Sequence, residues 1–76
     1  MDEGAPEEPL RRSFRLAGHR TSLSLERAFW DALKRYAQAD GRSMTAIIAE
    51  IDRNRSTALS RAVRVYLLQR AQARGS

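Results

Sequence analysis

Between Arg20 and Leu25 the chain reads Arg-Thr-Ser-Leu-Ser-Leu. This strict alternation puts Arg20, Ser22 and Ser24 on one side of an extended backbone and Thr21, Leu23 and Leu25 on the other. A period of two over six residues marks a strand buried on one face only. Such a strand constrains everything else, because its backbone N–H and C=O groups need a partner strand and its apolar face needs a cover. No tight-turn dipeptide follows Leu25, and no second run of comparable quality lies within reach of a hairpin. The expectation is therefore that the strand pairs with the same strand of a second copy about a two-fold axis. Upstream, Phe14 and Leu16 alternate with Ser13 and Arg15 before Gly18 interrupts; this piece either extends the strand or packs over the body. A rival reading makes residues 20–25 a capping segment with Ser24 as N-cap, but it leaves Leu23 and Leu25 without a common buried face.

From Arg27 the period changes. Phe29, Leu33 and Tyr36 or Ala37 fall at helical spacing with Trp30 beside them, and Asp31 precedes Arg35 by one helical turn as a supporting pair. Gly41 is a plausible end for this helix and Ser43 an N-cap for the next, which carries Ile47, Ile48 and Ile51 on one stripe. The polar run from Asp52 to Thr57 breaks the second helix, and Ser56 or Thr57 would cap a third from about Ala58 to Ala73. Its main face is Leu59, Ala62, Val63, Tyr66, Leu67 and Arg70, widened by Val65 and Leu68. Gly4, Pro6, Pro9 and four acids mark residues 1–12 as a disordered acidic arm. Residues 13–55 are then the core unit and 56–74 the third helix, with no internal repeat expected. The fold class is mainly α with one β-strand per chain.

Size sharpens the case for a second copy. A chain of 76 residues has room for one domain and a modest core, so it needs a staple. Cysteine is absent and His19 is the single histidine, which leaves oligomerisation rather than disulfides or metal. No apolar stretch is long enough to cross a bilayer, and the acidic start lacks the layout of a secretory signal, so a bacterial cytoplasm is the expected setting. Of the 9 acidic residues, Asp2, Glu3, Glu7 and Glu8 sit in the first nine positions. The remainder sets 14 basic residues, all but one arginine, against the other five acids. That surplus suits a polyanion, and arginine suits bidentate contact with phosphate or guanine. A GC-rich genome is the alternative origin of so much arginine.

Nothing catalytic is assembled. There is no cysteine, no second histidine and no Gly-rich phosphate loop, and Glu50 and Asp52 point to different helix faces with nothing to pair them. No enzyme, cofactor or metal site is expected. Trp30 and Tyr36 read as core rather than as base-stacking platforms, and His19 as a structural or phosphate-contacting residue. Arg61, Arg64, Arg70 and Arg74 read as a solvated helix face, with an acidic protein partner as the alternative.

Taken in order, these segments resemble the ribbon-helix-helix superfamily of repressors. Arg20-Thr21-Ser22-Leu23-Ser24-Leu25-Glu26 looks like its ribbon, and Phe29-Trp30-Asp31-Ala32-Leu33 like its first helix. Asp40-Gly41-Arg42-Ser43 is similar to its interhelix turn, and Met44 to Ile51 to its second helix. The run of Gly-His-Arg-Thr-Ser-Leu-Ser-Leu-Glu, Phe-Trp-Asp-Ala-Leu, Ala-Glu-Ile-Asp and Leu-Ser-Arg-Ala-Val-Arg-Val-Tyr-Leu-Leu resembles a bacterial subfamily with a third C-terminal helix. The resemblance covers roughly residues 13 to 70.

The resemblance implies a homodimer with an intermolecular antiparallel β-ribbon in the major groove of double-stranded DNA. It makes Arg20, Ser22 and Ser24 the base readers, a role that parity supports independently. It further implies that the second helix points its N-terminus at a phosphate, with Ser43, Met44 and Thr45 as contacts and Arg42 adding charge. Arg11, Arg12, Arg15 and His19 are candidate arm contacts. Leu23, Leu25, Phe29, Leu33, Ile47, Ile48 and Ile51 of both chains would form the dimer core, with further assembly on DNA open. The expected function is a sequence-specific transcriptional repressor. Its rivals are an antitoxin that also wraps a toxin, and a protein-interaction dimer that never touches DNA; a protein partner at the third helix fits either.

Overall fold

Two strands, not one, precede the helices in the computed structural model, which describes residues 8–75. β1 (Leu10–Leu16) and β2 (His19–Leu25) form an antiparallel hairpin, followed by α1 (Arg27–Asp40), α2 (Met44–Asn54) and α3 (Leu59–Gly75). Residues 1–7 of the expected arm lie outside the described residues. Residues 10–12, expected in that arm, are the first half of β1.

The second strand corrects the inference that β2 needs another chain for its first partner. The register runs from Leu16 opposite His19 to Leu10 opposite Leu25. Only Ala17 and Gly18 bridge the strands, with φ of 51° and 84°. Positive φ at both central residues is a type I′ turn, whose twist matches that of the strands it joins. The usual signal for it is Asn-Gly or Asp-Gly; Ala-Gly hides it, because alanine takes the left-handed conformation at a cost. β1 itself is masked by Arg12, which stands among the inward positions Leu10, Phe14 and Leu16. Its guanidinium lies 5.0 Å from the centroid of the Trp30 ring, so the inner face is continued by a cation–π contact rather than an aliphatic side chain. Trp30 completes the anchorage: its indole Nε1 donates to Leu10 O at 2.9 Å, and Phe14 stacks on it at 5.9 Å.

The helices follow local chemistry. α1 starts after Glu26, so Ser24 is a strand residue and not its cap. At its other end Gly41 has φ of 66°. The Arg42 N–H donates to Ala37 O at 2.9 Å and the Gly41 N–H to Gln38 O at 3.2 Å, the paired bonds of a Schellman motif. Ser43 Oγ accepts from the Ala46 N–H at 3.0 Å and caps α2. Neither Ser56 nor Thr57 caps α3: the first bond of that helix runs from the Ala62 N–H to Ala58 O, which puts alanine at the cap position. The Asp31–Arg35 pair is not among the ion pairs of the described residues.

Six of the seven expected dimer-core residues are buried within this single chain, and Phe29 is half-buried. Leu16, Trp30, Tyr36 and Ala37, with Leu59, Val63 and Leu67 of α3, complete the core. Within this one chain α3 packs on β2 and α2, and β1 packs on α2. Two ion pairs tie α3 down. Arg64 donates to Glu26 Oε1 at 2.9 and 3.2 Å, and Arg70 grips both carboxylate oxygens of Asp40 at 2.6 and 3.1 Å while lying over the Tyr36 ring. The expected solvated arginine face therefore includes two structural tethers. Likewise Glu50 and Asp52 are paired, with Arg42 and Arg55.

Two outcomes follow from these contacts. Replacing Ala17 by Asn, which tolerates the left-handed conformation, should stabilise the protein by about 1 kcal/mol in urea denaturation. Hydrogen bonds from Arg64 and Arg70 hold the Glu26 and Asp40 carboxyls below their ordinary range. Depressed carboxyl values give stability that is present above the ordinary carboxylate range and lost as pH falls through the lowered folded values. Thermal melts from pH 7 to pH 3 should therefore show a steeper acid loss for wild type than for the Glu26→Gln/Asp40→Asn variant.

Candidate nucleic-acid interface

A two-stranded sheet covered on one side has one face left. Opposed residues share a face, so the outer face consists of Arg11 opposite Ser24, Ser13 opposite Ser22, and Arg15 opposite Arg20. These six side chains are three arginines and three serines; all are exposed except Ser24, which is half-buried. Beneath them, Leu16, Leu23 and Leu25 are buried and Phe14 and Thr21 half-buried. The alternation of β2 thus sorts polar from apolar as its sequence pattern requires.

Charge is segregated as well as shape. The four ion pairs of the described residues are Arg42–Glu50, Arg55–Asp52, Arg64–Glu26 and Arg70–Asp40. They neutralise arginines near the ends of α2 and along α3. Arg11, Arg15 and Arg20 enter none of them. The outer hairpin face is consequently a cationic strip, and Arg15 and Arg20 sit directly across from one another, an arrangement that costs stability in the free protein.

The N-terminus of α2 lies beside the hairpin. Arg12 of β1, Lys34 of α1, and Arg42 and Met44 at the start of α2 line one cavity of about 370 Å³, together with Trp30, Asp31, Ala37 and Gln38. Three cations there face one carboxylate. The structure thus brings one candidate arm residue, Arg12, together with two candidate phosphate contacts, Arg42 and Met44. Ser43 and Thr45 are exposed at the same helix end, where the first N–H groups have no intrahelical acceptor. Arg42 is partly committed: its Nη2 donates to Glu50 Oε1 at 2.6 Å and to Ala46 O at 3.3 Å. His19 is exposed at the turn end of β2, away from this cavity's lining.

Lys34 is the cation of this corner that sequence reasoning passed over. Its signal was available, since it stands one helical turn after Trp30 and so shares that ring's side of α1. Arg11 and Arg15, candidate arm contacts from the sequence, belong by register to the outer face of the hairpin. Among the described residues no group of three or more His, Asp or Glu side chains is placed to hold a metal ion, and no helix is long and apolar enough to cross a membrane.

A family model described as a ribbon-helix-helix domain matches residues 9–71, which spans both strands, α1, α2 and most of α3. No curated protein and no solved structure matches the chain.

Proposed function

The chain belongs to the ribbon-helix-helix family of DNA-binding regulators, and on that premise we propose that it is a sequence-specific transcriptional repressor acting as a homodimer. The observation that carries this reading is the hairpin's outer face, made of arginine and serine alone and free of neutralising carboxylates. Arginine donates two parallel hydrogen bonds to guanine O6 and N7, and serine contacts any base, so Arg20, Ser22 and Ser24 are the base-reading residues of β2. Ser43, Met44 and Thr45 offer the start of α2 to a backbone phosphate. Arg42 adds charge once its bond to Glu50 is shared or released, and Arg12 and Lys34 reinforce the same corner. Affinity comes mainly from arginine–phosphate contacts and discrimination from the ribbon. The setting is the bacterial cytoplasm.

The packed α3 favours this reading over an antitoxin whose C-terminal segment orders only on its toxin. One observation supports a protein contact as a second reading. Val65 and Leu68 of α3 are 44% and 56% exposed, and Val65 borders an apolar groove of about 340 Å³ between α2 and α3 that Ile51, Ala62 and Tyr66 also line.

Fluorescence-anisotropy titration of random-sequence duplex DNA over a salt series decides between the readings. Wild type should bind with a steep negative dependence on salt, roughly 0.9 in log–log slope for each phosphate neutralised. The Arg20→Ala/Ser22→Ala/Ser24→Ala variant should bind more weakly. At a cognate duplex Arg20→Ala alone should cost about 1–3 kcal/mol. Absence of binding by wild type even at low salt would sink the repressor reading and leave the α3 groove as the site of function.

A further inference from the structure

Charge is sorted along this chain as well as over its surface. Four of the 9 acidic residues, Asp2, Glu3, Glu7 and Glu8, stand together just before β1. The strand that follows them carries Arg11 and Arg15 on the outer hairpin face, and Arg20 of β2 completes the strip. None of these three arginines enters an ion pair of the described residues. Of the five acids beyond the segment, Glu26, Asp40, Glu50 and Asp52 each hold an arginine elsewhere, and Asp31 lines the corner cavity at the start of α2. Uncompensated positive charge on the strip thus lies next in sequence to a block of negative charge. Glu8, the last of that block, is exposed and stands three positions before Arg11. The strip also has an internal reason to attract an anion. Arg15 and Arg20 are directly opposed across the hairpin, and like charges so placed repel.

We propose that residues 1–8 occupy the outer hairpin face of their own chain in the absence of DNA, as a competitor whose carboxylates stand where phosphates would otherwise lie. This rests on the DNA-binding reading above and adds a regulation of that same surface. Reach permits it. β1 from Leu10 to Leu16 is about 20 Å long, and eight residues extended span up to about 26 Å. The acids can therefore cover the strip from Arg11 as far as the Arg15–Arg20 pair. A tether this short gives an effective concentration of about the millimolar order. Chemistry permits it too, since a carboxylate accepts the same paired hydrogen bonds from a guanidinium that a phosphate does.

Strength sets the outcome. Ion pairs exposed to water are individually weak, so the segment yields to a duplex, which presents many phosphates and releases their counterions. Apparent affinity falls in proportion to the fraction of molecules whose face is open. The competitor therefore weakens binding to every duplex by one factor and leaves discrimination between duplexes unchanged.

The test neutralises the segment without removing it. Full-length wild type and the Asp2→Asn/Glu3→Gln/Glu7→Gln/Glu8→Gln variant are compared by amide NMR without DNA over a salt series. Both are also titrated with unselected duplex and with a duplex enriched from a randomised pool by wild type. At low salt the amides of residues 11–15 and 20–24 should differ between the two proteins. The difference should vanish at about 1 M salt, where the screening length is about 3 Å. The variant should bind both duplexes about 10-fold more tightly at low salt, as follows if the face is open in about one wild-type molecule in ten. Hairpin amides that do not differ overturn the inference even if affinity rises, because net charge alone then accounts for the gain. Differing amides with unchanged affinity also overturn it, because contact without competition regulates nothing. If wild type binds no duplex at any salt, it is the DNA-binding reading that has failed, and the amide comparison still decides whether the segment occupies the face.

Discussion

Everything in this molecule follows from a sheet of only two strands having one face to bury. Leu16, Leu23 and Leu25 hold that face against the helices, with Phe14 half-buried beside them, and the alternation of the backbone then delivers every second side chain to the opposite side. Among the described residues no second sheet and no further helix covers the outer face, so it must be polar. The choice of arginine and serine, rather than mixed charges, makes that face cationic, which is what the proposed reading of DNA requires.

The helices serve the hairpin in two ways. Trp30 holds β1 through a hydrogen bond to Leu10 O, a stack with Phe14 and a cation–π contact with Arg12, so one α1 residue fixes the strand along most of its length. α3 then closes the core with Leu59, Val63 and Leu67 and is tied to the start and end of α1 through Arg64–Glu26 and Arg70–Asp40. The arginines of these pairs are tethers of the fold, whereas Arg11, Arg15 and Arg20 enter none of the ion pairs of the described residues.

Where the physics is local, the sequence is transparent. The one-sided burial of β2, the Schellman end of α1 at Gly41, the Ser43 cap, the isoleucine stripe of α2 and the apolar row of α3 can all be read from residue type and spacing. The hairpin was hidden because both of its signals are disguised. Ala17 stands where asparagine or aspartate usually marks a type I′ turn, and Arg12, though exposed, occupies an inward position of the alternation, over the Trp30 ring. The ion pairs of Arg64 and Arg70 bridge 38 and 30 residues, a separation at which spacing carries no information. For the interface, parity on β2 identified Arg20, Ser22 and Ser24 as one face. The positions of Arg11, Ser13 and Arg15 depend on a register that only the folded hairpin supplies.

The most direct measurement is a backbone amide NMR titration of the wild-type protein with duplex DNA at low salt. The largest chemical-shift changes should fall on β1, on β2 and on residues 43–46, with α3 little affected. Changes confined to α3 and the groove it forms with α2, with the hairpin amides unmoved, would contradict the claim that the outer hairpin face is where this protein meets DNA.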